Sequence, residues 1–280
     1  MGYRTILLHC DAGRTLAART QVAADFAGRM GAHIVGLHVR QRFETPMYTD
    51  GAVAMDSLYD AYEKQVKAEE AEASAAFKAA MRSDKIFSEW RVASGYIDEV
   101  VAEAALAADL AIVGQADPEN TGSATPSDLA EQVALRSGRP VLVLPYIGSP
   151  KPPGGRAMIC WNNSREAARA VTGALPLLEK ASKVEMLIVD AEKATDEDRA
   201  RNSGKDIAAW LGRHGVKAEI ARTTALASEV GTTILSRAAD HDIDLIVMGI
   251  YGHSRMREMV LGGVSRTLLA SMTIPVLMAH

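Results

Sequence analysis

"DLIVMGIYGHSRMREMVLGGVSRTLLAS", residues 244–271, is the stretch that decides the fold of this chain. It begins with a short run rich in Leu, Ile and Val, which is typical of a parallel strand covered on both faces. A loop with three spaced glycines follows, and the stretch ends in a segment that reads as a helix. The pattern therefore predicts a buried strand, a glycine loop and a helix in succession.

Composition places the chain among ordinary globular proteins. It has 280 residues, of which 48% are hydrophobic and 24% charged, and its formal net charge is −4. No basic run suggests nucleic-acid binding, and no apolar run reaches the roughly 18 residues of a membrane span. The N-terminus lacks the features of a secretory signal, and two cysteines are too few for a disulfide framework. We therefore expect a cytoplasmic protein that binds neither nucleic acid nor membrane.

The chain repeats itself. "DLAIVGQ" (109–115) matches "DLIVMGI" (244–250), and "RPVLVLP" (139–145) matches "IPVLMAH" (274–280). In both halves the glycine of the first motif precedes the first proline of the second motif by 26 positions: from Gly114 to Pro140, and from Gly249 to Pro275. This shared register indicates two duplicated domains.

We divide the chain into a first domain (1–147), a linker (148–156) rich in Pro and Gly, and a second domain (157–280). Each domain alternates five strands with helices, which predicts right-handed βαβ crossovers. In the second domain the strands are expected over about 157–161, 184–189, 217–222, 244–248 and 275–279. The fold class is therefore α/β, with two tandem doubly wound, mostly parallel five-stranded sheets of Rossmann-like type. The first domain also carries an irregular excursion over 41–60, followed by a charged, Ala-rich helix.

The glycine loop has two readings. A strand that leads through glycines into a helix N-terminus suits anion binding, because free amides and the helix dipole attract negative charge. The spacing differs, however, from both common phosphate fingerprints, so a purely structural glycine loop is an equal alternative. His253, Arg255 and Arg257 would supply cationic side chains, and Ser265 a hydroxyl donor.

The spacing Gly249-x-x-Gly252, nine residues, then Gly262 resembles the signature of the ATP-binding universal stress proteins. The resemblance extends over nearly the whole chain as a tandem pair of such domains, with the fold of the adenine nucleotide alpha hydrolases. It implies an adenine nucleotide as ligand, namely ATP with or without Mg²⁺, and a role in stress response. The family usually has Ser or Thr where this chain has Gly263, so one side-chain donor is lost.

The resemblance also implies the site residues. Adenine and ribose would be held by Cys160, Asn162 and Val189, at the ends of the first two strands of the second domain. Asn162 stands where the family usually has Asp, which leaves the base preference open. The alternative for Asn162 is a helix N-cap or turn residue, because "NNS" precedes an Ala-rich helix. The other implied contacts are Met248, Gly249, Gly252, His253, Arg255, Gly262, Gly263, Val264 and Ser265.

The first domain lacks the glycines of this loop. In the register of Gly114 with Gly249, the equivalents of Gly252, Gly262 and Gly263 are Asp117, Ser127 and Asp128. Two carboxylates at that place would repel phosphate, so we expect this domain to bind no nucleotide and to serve as a partner. Its Asp11 is similar to the base-end Asp of the family. By the same resemblance, the last strands of the two domains pair and make the chain an intramolecular pseudo-dimer; whether two chains form a homodimer is left open.

We assign no catalytic residue and no metal ligand, so enzymatic activity is expected to be at most a weak ATPase. Two alternatives to nucleotide binding stay open. One is a protein-interaction module of the same fold, acting on an unknown partner through the 41–60 excursion and the edge strands. The other is a related α/β enzyme of adenylyl transfer or electron transfer.

Overall fold

The fold is given by a computed structural model, which describes residues 2–42, 52–82, 86–117, 119, 125–147, 153–250 and 263–280. Within these residues, ten strands form one sheet in the order β3-β2-β1-β4-β5-β10-β9-β6-β7-β8. The expected α/β class is confirmed. The two five-stranded halves are joined edge to edge, so they form a single continuous sheet.

The elements of the first half alternate as the sequence predicts. They are β1 (Thr5–His9), α1 (Leu16–Met30), β2 (His33–Arg40), α2 (Ala52–Ala80), β3 (Ser88–Ser94), α3 (Ile97–Ala105), β4 (Leu110–Gly114), α4 (Leu129–Ser137) and β5 (Val141–Leu144). The prediction of an irregular excursion over 41–60 is wrong for residues 52–60, because α2 already begins at Ala52. The stretch "AVAMDSLYDAY" is rich in strong helix formers and free of Gly and Pro, which explains the earlier start.

The second half repeats the order. It contains β6 (Arg156–Cys160), α5 (Arg165–Leu178), β7 (Lys183–Ala191), α6 (Asp196–Arg201), α7 (Lys205–Arg213), β8 (Ala218–Ala225), α8 (Val230–Asp240), β9 (Leu245–Gly249), α9 (Gly263–Ser271) and β10 (Val276–Ala279). All neighbouring strands within each half pair in parallel. Helices cover both faces of the sheet, which is why its central strands β4, β5, β9 and β10 are apolar and buried.

Two hydrophobic clusters, one on each face, hold the helices to the sheet. One contains residues of α1, α2, α5 and α7, and the other contains residues of α3, α4, α8 and α9. We call these faces the α5 face and the α9 face. Among the described residues, no helix combines the length and apolar composition that crossing a bilayer requires.

The expected pairing of the last strands of the two halves is confirmed. Strands β5 and β10 are antiparallel, with Val276 opposite Val143 and Leu277 opposite Leu142. Across the same junction, Tyr3 donates its hydroxyl to the carbonyl of Gly173 in α5 at 2.5 Å. The junction therefore covers an edge strand of each half, which protects both from pairing elsewhere.

Candidate functional site

The carboxyl edge of the second half contains a crevice of the kind that α/β sheets use for ligands. Strands β6 and β9 are neighbours, yet β6 leads into α5 on one face and β9 into α9 on the other. Connections that leave adjacent strands toward opposite faces form a crevice outside the carboxyl ends, at the topological switch point. Those of the implied residues that the structure describes lie around this point.

Four of those residues come together on the α9 face. Cys160 lies opposite Met248 in β9 and opposite Leu187 in β7. Val189 lies two positions after Leu187 in β7. Cys160, Val189, Met248 and Val264 all pack against the same hydrophobic cluster. Burial raises the pKa of the Cys160 thiol to about 12, so this side chain is a neutral, apolar surface at neutral pH. The carboxyl edge thus has an apolar floor made by three strands and α9.

Asn162 lies outside this floor and holds a turn. Its side chain is exposed, and its Oδ1 accepts from the Ser164 amide at 3.3 Å and the Ser164 hydroxyl at 2.7 Å. The N-cap of α5 is Ser164, whose hydroxyl accepts from the amide of Ala167 at 3.1 Å. The N-cap alternative for Asn162 is therefore wrong, and the turn alternative is correct, because the helix begins two residues later than "NNS" suggested.

Gly249 has a packing reason to be glycine. A Cβ at this position would lie 2.5 Å from the carbonyl carbon of Glu166 and 2.8 Å from its Cβ, and closer still to the amide of Ala167. The missing side chain therefore admits the first turn of α5 onto the end of β9. Nothing in the sequence distinguishes this glycine from the others in the loop, because the contact joins distant segments.

The helix that follows the loop begins at Gly263. Gly263 is exposed, and a Cβ built on it would meet nothing within 4 Å. Ser265 is 4% exposed, and the hydroxyl of Thr267 binds the Gly263 carbonyl at 2.9 Å. Among the described residues, none thus lies against the Cα of the first residue of α9. The expected contacts Gly252, His253, Arg255 and Gly262 lie outside the described residues.

In the first half, an internal ion pair lies at the equivalent edge. Asp11 forms a salt bridge with Arg19, whose side chain is 3% exposed. The Asp11 carboxylate also accepts from Thr125 Oγ1 at 2.5 Å and from the Gly13 amide at 3.1 Å. Although burial raises its pKa, the charge of Arg19 and these hydrogen bonds hold the pKa of Asp11 well below its usual range. The carboxylate is therefore ionised and fully engaged within the chain.

Arg19 also fills the space above β4. A Cβ on Gly114 would lie 3.0 Å from Cζ of Arg19 and closer still to one of its terminal nitrogens. Beyond it, Asp117 pairs with Nε of Arg14 at 2.7 Å. A guanidinium thus fills the space that the missing side chain leaves at the end of β4, whereas a helix turn fills the corresponding space at the end of β9. The two carboxyl edges differ in packing as well as in sequence.

A side-chain clamp that no sequence pattern indicated lies at the end of β7. Arg222 Nε and Nη2 donate to the two carboxylate oxygens of Asp190 at 3.0 and 2.9 Å, and Nη1 donates to the Asn202 carbonyl at 3.0 Å. This bidentate pair ties the segment between α6 and α7 to the carboxyl edge. Strand register brings the residues together, since Arg222 lies opposite Ile188, and the sequence offered no local sign of it.

Comparisons with known proteins identify the family of the second half. Residues 155–280 match the model of the universal stress protein family. A search of curated protein sequences finds no significant match. The second half of the chain is therefore a domain of the universal stress protein family, and the first half repeats its fold in tandem.

Two solved structures are similar over almost the whole chain. One is a universal stress protein from Archaeoglobus fulgidus DSM 4304, with 18% identity, 98% of this chain and 95% of that chain covered, and a TM-score of 0.68. The other is a functionally unknown protein from Pseudomonas aeruginosa PAO1, with 16% identity, coverages of 99% and 92%, and a TM-score of 0.58. At these identities the likeness concerns the fold.

Proposed function

We propose that this protein is a regulatory universal stress protein that binds an adenine nucleotide, ATP, at the carboxyl edge of its second half and acts in the cytoplasm. The observation that carries the proposal is the convergence of Cys160, Val189, Met248 and Val264 on the face of the sheet that α9 covers. A flat apolar floor suits a purine base, and the free amides of a helix end suit phosphate.

The phosphate end of the proposed site combines the glycine loop with the first turn of α9. Backbone amides of Gly263, Val264 and Ser265 lie at the positive end of the helix dipole. Gly252 and Gly262 would let further amides approach the ligand, and His253 and Arg255 would contact its outer phosphates. Mg²⁺ would neutralise charge on the phosphates of ATP.

For the base end we propose Cys160, Asn162 and Val189. The Asn162 carbonyl oxygen already accepts two hydrogen bonds from Ser164, and its exposed amide group is a donor that the usual Asp lacks. A donor here would meet an acceptor on the base or ribose. We therefore propose that the side-chain nitrogen of Asn162 donates a hydrogen bond to the base or ribose.

The first half (1–147) is proposed to be a non-binding partner, joined through residues 148–156 to the binding half (157–280). Its Asp11 is neutralised by Arg19, and Arg19 fills the space above Gly114. Its Asp117 would face the phosphates at the place of Gly252. These features favour a structural role for the first half.

We propose at most slow hydrolysis. Rapid phosphoryl transfer requires a positioned base or water-orienting group together with transition-state cations, and no such constellation is identified among the proposed site residues. Binding without rapid turnover suits a regulatory protein whose state reports nucleotide occupancy.

Calorimetric titration of the full chain with Mg·ATP tests the proposal. The double variant Gly252→Asp/Gly262→Asp introduces two carboxylates at the proposed phosphate position, as in the first half. We expect it to lose nucleotide affinity with little loss of thermal stability. Glu103→Asp, on an exposed position of α3, is a charge-conserving control that should bind as the wild type does. Equal affinity of the double variant and the wild type would mean that any nucleotide binds elsewhere.

One observation favours a second candidate, a protein-interaction module. Phe87 is 73% exposed and Tyr96 51% exposed, and these side chains flank β3, an edge strand of the sheet. Exposed aromatic side chains at an unpaired strand edge are typical of interaction sites. This function predicts that ATP leaves the melting temperature unchanged and that Phe87→Ser together with Tyr96→Ser abolishes binding of the partner.

A further inference from the structure

The junction of the two halves on the α9 face is closely packed and mostly well satisfied. Helix α4 packs against β10, and Gln115 links the halves by donating to the Leu269 carbonyl at 2.7 Å. The side-chain oxygen of Gln115 accepts from the Tyr146 amide at 3.1 Å. A buried polar group at this junction thus has partners on both of its ends.

Glu131 is a clear exception at the same junction. It lies in the first turn of α4 with 1% of its surface exposed, and neither carboxylate oxygen has a hydrogen-bond partner within the described part of the chain. An ionised carboxylate without partners is strongly disfavoured in such a place. Burial accordingly raises the pKa of Glu131 to about 7, although the backbone amide of the same residue lowers it, so its charge changes near neutral pH.

The charges that act on Glu131 come from both halves. Asp128, at the N-cap of α4, raises its pKa further, whereas Arg266 in α9 lowers it. Arg266 occupies the position equivalent to Glu131, 135 residues later, and its side chain is exposed. Asp98 and Glu99 of α3 are engaged with Arg136, near the far end of α4. Glu131 is therefore within electrostatic range of the first turns of α9.

We propose that Glu131 makes anion binding at the N-terminal end of α9 depend on protonation. The identity of the anion rests on the proposed function. When Glu131 is neutral, α9 presents its dipole and Arg266 to the ligand without opposition. When it is ionised, a buried negative charge from the other half opposes the phosphates. Linkage is reciprocal, so a bound polyanion favours the protonated form.

The test compares Mg·ATP titrations of the full-length wild type and Glu131→Gln at pH 6 and pH 8. At each pH, the dissociation constant of the wild type is divided by that of Glu131→Gln. This ratio cancels the effect of the titration of ATP itself. We expect a ratio near one at pH 6. At pH 8 the wild type should bind more weakly, on the order of tenfold, because the ionised carboxylate then repels the phosphates. Glu103→Gln, at an exposed position, should give the same ratio at both pH values.

Thermal unfolding without nucleotide provides an independent readout. The pKa of Glu131 in the folded protein lies above its ordinary value of 4.5, so the folded state binds the proton more tightly than the unfolded state does. The stability of the folded protein therefore falls as pH rises from 4.5 through about 7. The melting temperature of the wild type should therefore drop by roughly 5–10 °C over this window relative to Glu131→Gln. Identical pH profiles of the two proteins would overturn the proposal.

The outcomes also separate this proposal from the proposed function. Binding with a ratio that is the same at pH 6 and pH 8 would reject the coupling and leave nucleotide binding intact. Absence of binding to both proteins at both pH values would reject nucleotide binding and the coupling together. In that case the melting profiles would still show whether Glu131 titrates near neutral pH.

Discussion

Gly249→Ala distinguishes a packing role of this glycine from a ligand role. The new Cβ would lie 2.5 Å from the Glu166 carbonyl carbon, a distance that non-bonded carbon atoms do not adopt. The neighbours are backbone atoms of α5, so the clash can be relieved only by moving the helix from β9. We expect a loss of stability at the upper end of the usual cost of overpacking, about 3 kcal/mol.

The expected loss is readily measured. For a chain of this size, 1 kcal/mol corresponds to roughly 2–4 °C, so the melting temperature should fall by about 6–12 °C. Thermal unfolding followed by circular dichroism measures the shift. Gly263→Ala is the matched control, because its Cβ would meet nothing within 4 Å, and its stability should stay within about 1 kcal/mol of the wild type.

Nucleotide titration at a temperature where both variants are folded completes the comparison. If packing is the reason for Gly249, the variant should lose stability by the amount given above whether or not it still binds. An unchanged melting temperature for Gly249→Ala, with affinity lost, would refute the packing argument and assign this glycine to the ligand.

Two further predictions concern ion pairs. Arg19→Ala leaves the Asp11 carboxylate buried without its cation and should destabilise the protein by about 3–5 kcal/mol in urea unfolding. Arg14→Ala, which removes an exposed guanidinium, should have a much smaller effect; equal effects of the two substitutions would contradict this assignment. Arg222→Lys replaces a bidentate contact with a single one, so amide hydrogen exchange over 199–205 should accelerate while the core strands keep their protection; unchanged exchange in that segment would show that the clamp is dispensable.

Much of the fold could be predicted because it depends on local patterns. The strand expected over 157–161 is Arg156–Cys160, since apolar runs and turns mark strand ends in the sequence itself. The strand expected over 217–222 continues to Ala225, because polar Thr223 and Thr224 pair with β7 and no hydrophobic pattern announces them. Local periodicity thus identifies the elements, while pairing sets their lengths.

The candidate site was less accessible to sequence reasoning. The apolar floor could be anticipated, because carboxyl ends of parallel strands meet at one edge. Two other features could not: Gly249 faces a helix turn from a segment more than 80 residues away, and Glu131 looks like an ordinary exposed carboxylate in a helix. Both depend on which elements pack together, and neither residue type carries a signal of that.

The pairing of β5 with β10 has a consequence for the chain as a whole. Two separate polypeptides with these sequences would each present an uncovered strand, and each could re-form a sheet with its own kind or with the other. The hydrogen bond from Gln115 to the Leu269 carbonyl is made on one side of the junction, because Ile250 stands at the equivalent position of the second half and cannot donate. Fusion into one polypeptide therefore enforces a one-to-one stoichiometry of unlike modules, and it frees each module to diverge without producing mismatched assemblies.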